Sequence, residues 1–300
     1  MIYIKNISKI KNKKSILDDV SLNIEGIYGL IGPNGAGKTT LMRAIAGIIS
    51  VDNGTIDLEH SDDLSIKPKK IKDIRNLIGY LPQDFNLYPK ATVQDCLNHI
   101  AILKGLKNSD ERAKRIDYVL KKVNLLESKT KKVGNLSGGM RKRLGIAQLF
   151  LTDPQIIIVD EPTSGLDIYE RIRFRNLLKE LSREKTVIIS SHIVEDIEFL
   201  CTKVGIIKEG KLLVESTPQA LASYAKGLVW EMKINHDSLN EILNKYMVIE
   251  VDEINIDTIK VKIISTENPG GAVAVNPRFV DGYVSIIKEL GGEQFSEISN

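Results

Sequence analysis

Cysteine, long apolar runs and an excess of either charge are what this sequence lacks. Only two cysteines, Cys96 and Cys201, occur among 300 residues. They are far apart and in no metal-ligand spacing, so reduced thiols are expected rather than a disulfide frame or a zinc site. No apolar run approaches the roughly 20 residues that a membrane helix needs. Met1 to Lys11 alternates apolar and polar residues and carries no continuous stretch of the signal-peptide kind. The chain is therefore expected to meet any membrane from the water side. The 42 basic residues nearly balance the 39 acidic ones, for a formal net charge of +3. That balance argues against nucleic acid as a main partner, which calls for a concentrated basic face. An Asn-Lys-x-Asp base-reading tetrapeptide is also missing, which argues against a GTPase.

What is present is ordinary globular material. Hydrophobic residues make up 42% and charged residues 27%, enough apolar mass for a real core, and the length suggests about two domains. Strand patterns fall at Ile2–Ile7, Ser21–Glu25, Ile27–Ile31 and Thr55–Leu58, with a helix over Leu41–Ile49. From about Thr92 to Leu151 the pattern turns helical. Thr92 is placed to cap one helix, a second covers Ser109–Val123, and a third follows Leu136. The β-branched run before Asp160 and the stretch Thr186–Ser190 read as buried strands. Between and after them lie helices at Ile168–Leu181 and Ile193–Leu200. Glu209-Gly210 separates Val204–Ile207 from Lys211–Glu215 as in a hairpin. Strands alternating with helices predict a largely parallel sheet. Beyond about Gly227 a smaller α+β piece is expected, with strands at Leu228–Ile234, Met247–Val251 and Thr258–Ile264. Its helices are expected at Asp237–Asn244 and Pro277–Leu290.

Gly32-Pro33-Asn34-Gly35-Ala36-Gly37-Lys38-Thr39 fits the G-x-x-x-x-G-K-T phosphate-loop pattern, and Thr40 follows it. The segment follows a predicted strand and opens a predicted helix. Its glycines let successive N–H groups turn inward, where they and the helix N-terminus bind anionic phosphates. Lys38 supplies charge to the β- and γ-phosphates, and Thr39 a hydroxyl for Mg²⁺. Downstream, Ile156-Ile-Ile-Val159 ends in Asp160-Glu161. Asp160 suits the holding of Mg²⁺, and Glu161 the positioning or deprotonation of an attacking water.

With these in place the chain resembles the ATP-binding cassette family. Leu136-Ser137-Gly138-Gly139-Met140 is similar to that family's Leu-Ser-Gly-Gly-Gln signature and lies a short distance before the acidic strand end. Gln83 in Tyr80-Leu-Pro-Gln83 matches the glutamine loop, Ser164-Gly165-Leu166-Asp167 the D-loop, and His192 in Ser190-Ser-His192 the switch histidine. The resemblance covers about residues 1–220. It implies an α/β P-loop NTPase with a mixed, mainly parallel sheet core over residues 1–225, a helical subdomain at about 86–154, and an accessory α+β domain over 226–300. It implies ATP and Mg²⁺ as cofactors, with Thr39, Gln83 and Asp160 at the metal and Glu161, His192 and Gln83 in catalysis. It further implies a second cassette bound head to tail, so that Ser137, Gly138 and Gly139 of one copy meet the phosphates held by the other. A separate transmembrane permease completes the assembly at the inner face of the cell membrane.

Two positions depart from the family pattern. The aromatic that stacks on adenine is replaced by Ile10 or Lys11, so loose base recognition is expected, and Met140 stands in place of glutamine. The loop and the following Leu-Met-Arg-Ala-Ile-Ala-Gly look most like bacterial drug, antibiotic-peptide and lipid exporters. Such cassettes often end in a Pro-x-x-x-Asp helix, which Asn276-Pro277-Arg-Phe-Val-Asp281 resembles. A generic helix start with Asp281 exposed fits the same residues. Alternatives to transport are a soluble cassette acting in translation or DNA metabolism and a non-catalytic ATP-binding regulator. His60, His99 and His236 match no motif and are read as surface or packing residues.

Overall fold

The computed structural model describes residues 1–58, 69–70 (backbone only), 77–85 and 87–289. His60 and Leu290 fall outside the described residues. The chain divides into two compact units, Met1–Leu212 and Leu213–Asn300.

The first unit opens with β1 (Ile2–Lys11), β2 (Lys14–Ile24) and β3 (Ile27–Ile31), followed by α1 (Lys38–Ile45). β4 (Asn53–Leu58), β5 (Lys69–Lys70) and β6 (Ile78–Leu81) come next. Three helices succeed them, α2 (Val93–Leu103), α3 (Ser109–Lys122) and α4 (Gly138–Leu149). The remainder alternates as β7 (Ile156–Val159), α5 (Ile168–Leu181), β8 (Thr186–Ser190), α6 (Val194–Leu200), β9 (Lys203–Lys208) and β10 (Lys211–Ser216). The division between the units falls inside β10. β1 runs well past its expected end, β2 begins well before its expected start, and β6 is a strand that the sequence pattern does not predict. The helix expected at Leu41–Ile49 begins at Lys38 and ends at Ile45.

Local chemistry accounts for these boundaries. Every residue of β3 and β7 is buried, as expected for parallel strands covered on both faces. Thr92 accepts the Asp95 N–H at 3.1 Å. Asn108 accepts those of Asp110 and Glu111 at 2.9 and 3.0 Å. Each side chain thus satisfies donors that the helix start leaves orphaned. Glu209 and Gly210 both take positive φ, 50° and 82°, the conformation of a primed hairpin turn.

Two sheets result. One is antiparallel, in the order β2-β1-β4-β5. The other runs β10-β9-β3-β8-β7-β6, with β6, β7, β8, β3 and β9 parallel. A core of Ile2, Ile4, Ile7, Val20, Tyr28, Leu30, Leu41, Ile45, Ile158 and Ile188 fills the unit around α1. The order β3-β8-β7-β6 decides where the site sits. The chain leaves the carboxyl ends of these four neighbours at Gly32, Ser191, Asp160 and Pro82. Ligands of open parallel sheets bind at that edge. Cys96 and Cys201 are free and buried, and burial pushes both thiols up.

The second unit carries α7 (Pro218–Leu221), β11 (Val229–Asn235), α8 (Leu239–Lys245), β12 (Met247–Glu253), β13 (Thr258–Ile264), β14 (Val273–Ala274) and α9 (Phe279–Lys288). Its sheet is antiparallel, in the order β12-β13-β11-β14. Ile259, Val261 and Ile263 line one face, packed by Trp230, Met232, Leu239, Ile242 and Tyr246. α9 lies so close to α7 that a Cβ on Gly282 would stand 1.8 Å from the Leu221 carbonyl oxygen.

Asp281 is not exposed, as a generic helix start would have it. It is fully buried, pairs with Lys262 Nζ at 2.7 Å, and accepts the Arg278 N–H at 2.7 Å. Its second oxygen has no hydrogen-bond partner among the described residues, and Lys262 supplies the compensating charge. Removing one member of a buried pair strands the other. Lys262→Ala is therefore expected to cost about 3 kcal/mol of stability. Urea unfolding of the full chain, followed through Trp230, should show a lower midpoint. Lys262→Ala combined with Asp281→Leu should recover part of the loss.

Candidate nucleotide site

The phosphate loop is shaped by backbone crowding. Gly32 takes φ +155°, and a Cβ there would lie 1.9 Å from the Ile207 carbonyl oxygen. Gly37 takes φ +107°, and a Cβ there would lie 2.8 Å from the Ile16 carbonyl oxygen. No other residue fits these two positions, because the neighbouring atoms are main chain. At Gly35 the same direction is open for 4 Å. The loop delivers the chain into α1, which has no side-chain cap. The first intrahelical bond runs from Leu41 N–H to the Gly37 carbonyl at 2.9 Å. The N–H groups of Gly37, Lys38, Thr39 and Thr40 therefore have no acceptor within the helix and suit an anion.

Lys38 is buried, and its Nζ donates to the carbonyls of Gly32 at 2.7 Å and Pro33 at 3.0 Å. Burial lowers its pKa, while Glu161 and Asp160 pull it back up. The loop opens on a cavity of about 570 Å³ lined by Asn34–Thr40, Arg43, Gln83, Asp160 and Glu161. The cavity extends to Lys9, Lys11, Ile16 and Ile49. Lys11 rather than Ile10 faces it, and among the described residues no aromatic lines it.

Behind the cavity, the Ser190 hydroxyl joins two strand ends. It donates to Asp160 Oδ1 at 2.5 Å and accepts the Glu161 N–H at 2.9 Å. Glu161 is buried, and one carboxylate oxygen meets His192 Nδ1 and, at 3.4 Å, the His192 N–H. The His192 ring itself stays half exposed. Residues read from four separate stretches of sequence therefore converge on one edge of the sheet. Ser190 stands in Ser190-Ser-His192 with no role that the sequence assigns. Lys142, Arg43 and Asp196 have none either, because charges on a helix carry no motif spacing of their own.

The signature residues stand apart. Ser137 caps α4 by accepting the Met140 N–H at 3.2 Å. Gly138 lines a second cavity of about 460 Å³ with Gln83, Asp84, Phe85, Arg141 and Lys142. None of Ser137, Gly138 and Gly139 lines the phosphate cavity of the same chain.

The oxygen-only donor set of Thr39, Gln83 and Asp160 shares the phosphate cavity. Among the described residues no cluster of three or more His, Cys, Asp or Glu could hold a metal ion. This donor set fits a hard cation that draws its other ligands from water and phosphate.

The family model described as ABC transporter matches residues 17–164. A Nod factor export ATP-binding protein I of Burkholderia orbicola is 35% identical over 72% of this chain and 71% of its own length. The linearmycin resistance ATP-binding protein LnrL of Bacillus subtilis is 34% identical over 76% of this chain and 72% of its own length. The chain belongs to the ABC transporter ATP-binding protein family. It is an ATP-binding, ATP-hydrolysing cassette. A solved dimeric cassette, MJ0796 in a post-hydrolysis state with ADP and Pi, superposes with a TM-score of 0.62 at 28% identity. That match covers 72% of this chain and 98% of the other. No helix among the described residues is long and apolar enough to cross a membrane.

Proposed function

We propose that this cassette powers export through a separate membrane permease, working at the inner face of the membrane as a head-to-tail pair. The observation that carries the chemistry is the convergence of Lys38, Asp160 and Glu161 on one cavity, with His192 against Glu161. ATP is the substrate, with its phosphates in the loop Gly32–Thr40. Lys38 exchanges its bonds to Gly32 and Pro33 for the β- and γ-phosphates. Glu161 orients the attacking water and takes its proton, and His192 fixes the carboxylate. Thr39, Gln83 and Asp160 would hold Mg²⁺, which neutralises charge on the phosphates when bound. Ser137, Gly138 and Gly139 act on the ATP of the other copy. Their place outside their own chain's phosphate cavity supports that division. The export direction is supported by relatives named for Nod factor export and linearmycin resistance.

The test is the company the chain keeps in its own cells. Affinity-tagged chain should fractionate with membranes and copurify with a multi-span membrane protein. The copurified complex should hydrolyse ATP. Recovery with ribosomes or DNA, and no membrane protein, would overturn the transport reading.

A further inference from the structure

Glu161 stands in an unusual backbone conformation. Its φ of +51° lies in the left-handed region, where a residue with a Cβ persists only if its surroundings hold it. Both flanking peptide groups are held. The N–H donates to Ser190 Oγ at 2.9 Å, and the carbonyl accepts from Lys142 Nζ at 3.2 Å. The same ammonium donates to the Ser164 carbonyl, so it spans the turn that follows Glu161. Within that turn the Thr163 hydroxyl donates to Asp196, which also accepts Arg171 Nε at 2.7 Å. Asp196 has no solvent exposure. Ser190 and Asp196 belong to the sheet and the helix behind it. Lys142 belongs to α4, the helix that starts at Ser137-Gly138-Gly139. α4 is fastened to α5 as well, through Arg143 and Glu170.

We propose that Lys142 is a positioning residue for ATP hydrolysis, holding the Glu161 carbonyl so that the Glu161 carboxylate keeps its place in the cavity. It acts through Glu161, and the proposal rests on the role given to Glu161 above. Its ammonium also faces the carboxylates of Glu161 and Asp84. Burial lowers its pKa, and these carboxylates offset only part of that. The position of α4 thereby sets the group that handles water in the same chain. Displacing α4 from the loop would release the Glu161 carbonyl and leave the Ser190 bond to its N–H in place.

The test compares purified full-length variants by steady-state ATP hydrolysis. Lys142→Met keeps the stem and removes the donors. Its kcat should fall about tenfold or more, while KM for ATP stays within about threefold. Lys142→Arg, which keeps donors at that reach, should recover most of kcat. In a Glu161→Gln background, Lys142→Met should cause no further loss, because the group it positions is already disabled. An unchanged kcat in Lys142→Met overturns the proposal. So does an equal fall with and without Glu161. Should Lys142→Met fail to bind ATP or melt early, Lys142→Gln, which is shorter but polar, is held to the same outcomes. Full turnover in Glu161→Gln would instead sink the underlying reading of Glu161.

Discussion

Lys38→Ala is expected to leave a folded chain whose ATP turnover is at least about a hundredfold lower. Lys38 is buried beneath the loop and already near the carboxylates of Asp160 and Glu161. Triphosphate adds more negative charge and favours the ammonium further. Alanine removes that charge at the point where it builds up on the transferring phosphoryl group. The carbonyls of Gly32 and Pro33 lose a donor, but Lys38 itself lines the cavity, so water can enter the space that alanine vacates. Stability should therefore change far less than rate. Lys38→Arg should not rescue the loss, because a planar guanidinium cannot occupy the place of a compact ammonium under the loop. Turnover by phosphate release, set beside a melting curve, checks both parts. Activity near that of the unaltered chain would refute the assignment of Lys38.

The second large effect concerns Glu161→Gln. A positioned general base contributes about 10²- to 10⁴-fold, so turnover should fall within that range. Binding should survive, because glutamine keeps the size of the side chain and leaves the Ser190 and Lys142 contacts to the backbone intact. ATP should then hold two copies together without being consumed. Size-exclusion chromatography with ATP should show a dimer that persists in Glu161→Gln and is transient in the unaltered chain. A monomer with ATP, or rapid turnover, would contradict the role given to Glu161.

Much of this was legible in the sequence, for definable reasons. Gly32–Thr39 could be read because a phosphate loop needs glycine at fixed positions and a strand before it. Asp160 and Glu161 could be read because four β-branched residues mark a buried strand that must end in something polar. The outer parts of β1 and β2 are not legible because hairpin residues such as Lys11 and Lys14 are exposed and register shifts break the alternation. β6 was missed because Ile78–Leu81 is too short to show a period. Asp281 illustrates another limit. A carboxylate at a helix start is ordinarily solvated, and its burial depends on Lys262, a partner 19 residues away. The anchoring of Glu161 by Ser190 and Lys142 was invisible for the same reason, since it joins three elements distant in sequence.

The glycines of the phosphate loop have a genetic consequence. At Gly32 and Gly37 the atoms that leave no room for a Cβ are the carbonyl oxygens of Ile207 and Ile16. Every residue has that oxygen, whatever its side chain. A selection for second-site suppressors exchanges side chains only, so it has nothing to offer at these contacts. Function lost by substitution at either glycine should return through its own codon and through few others.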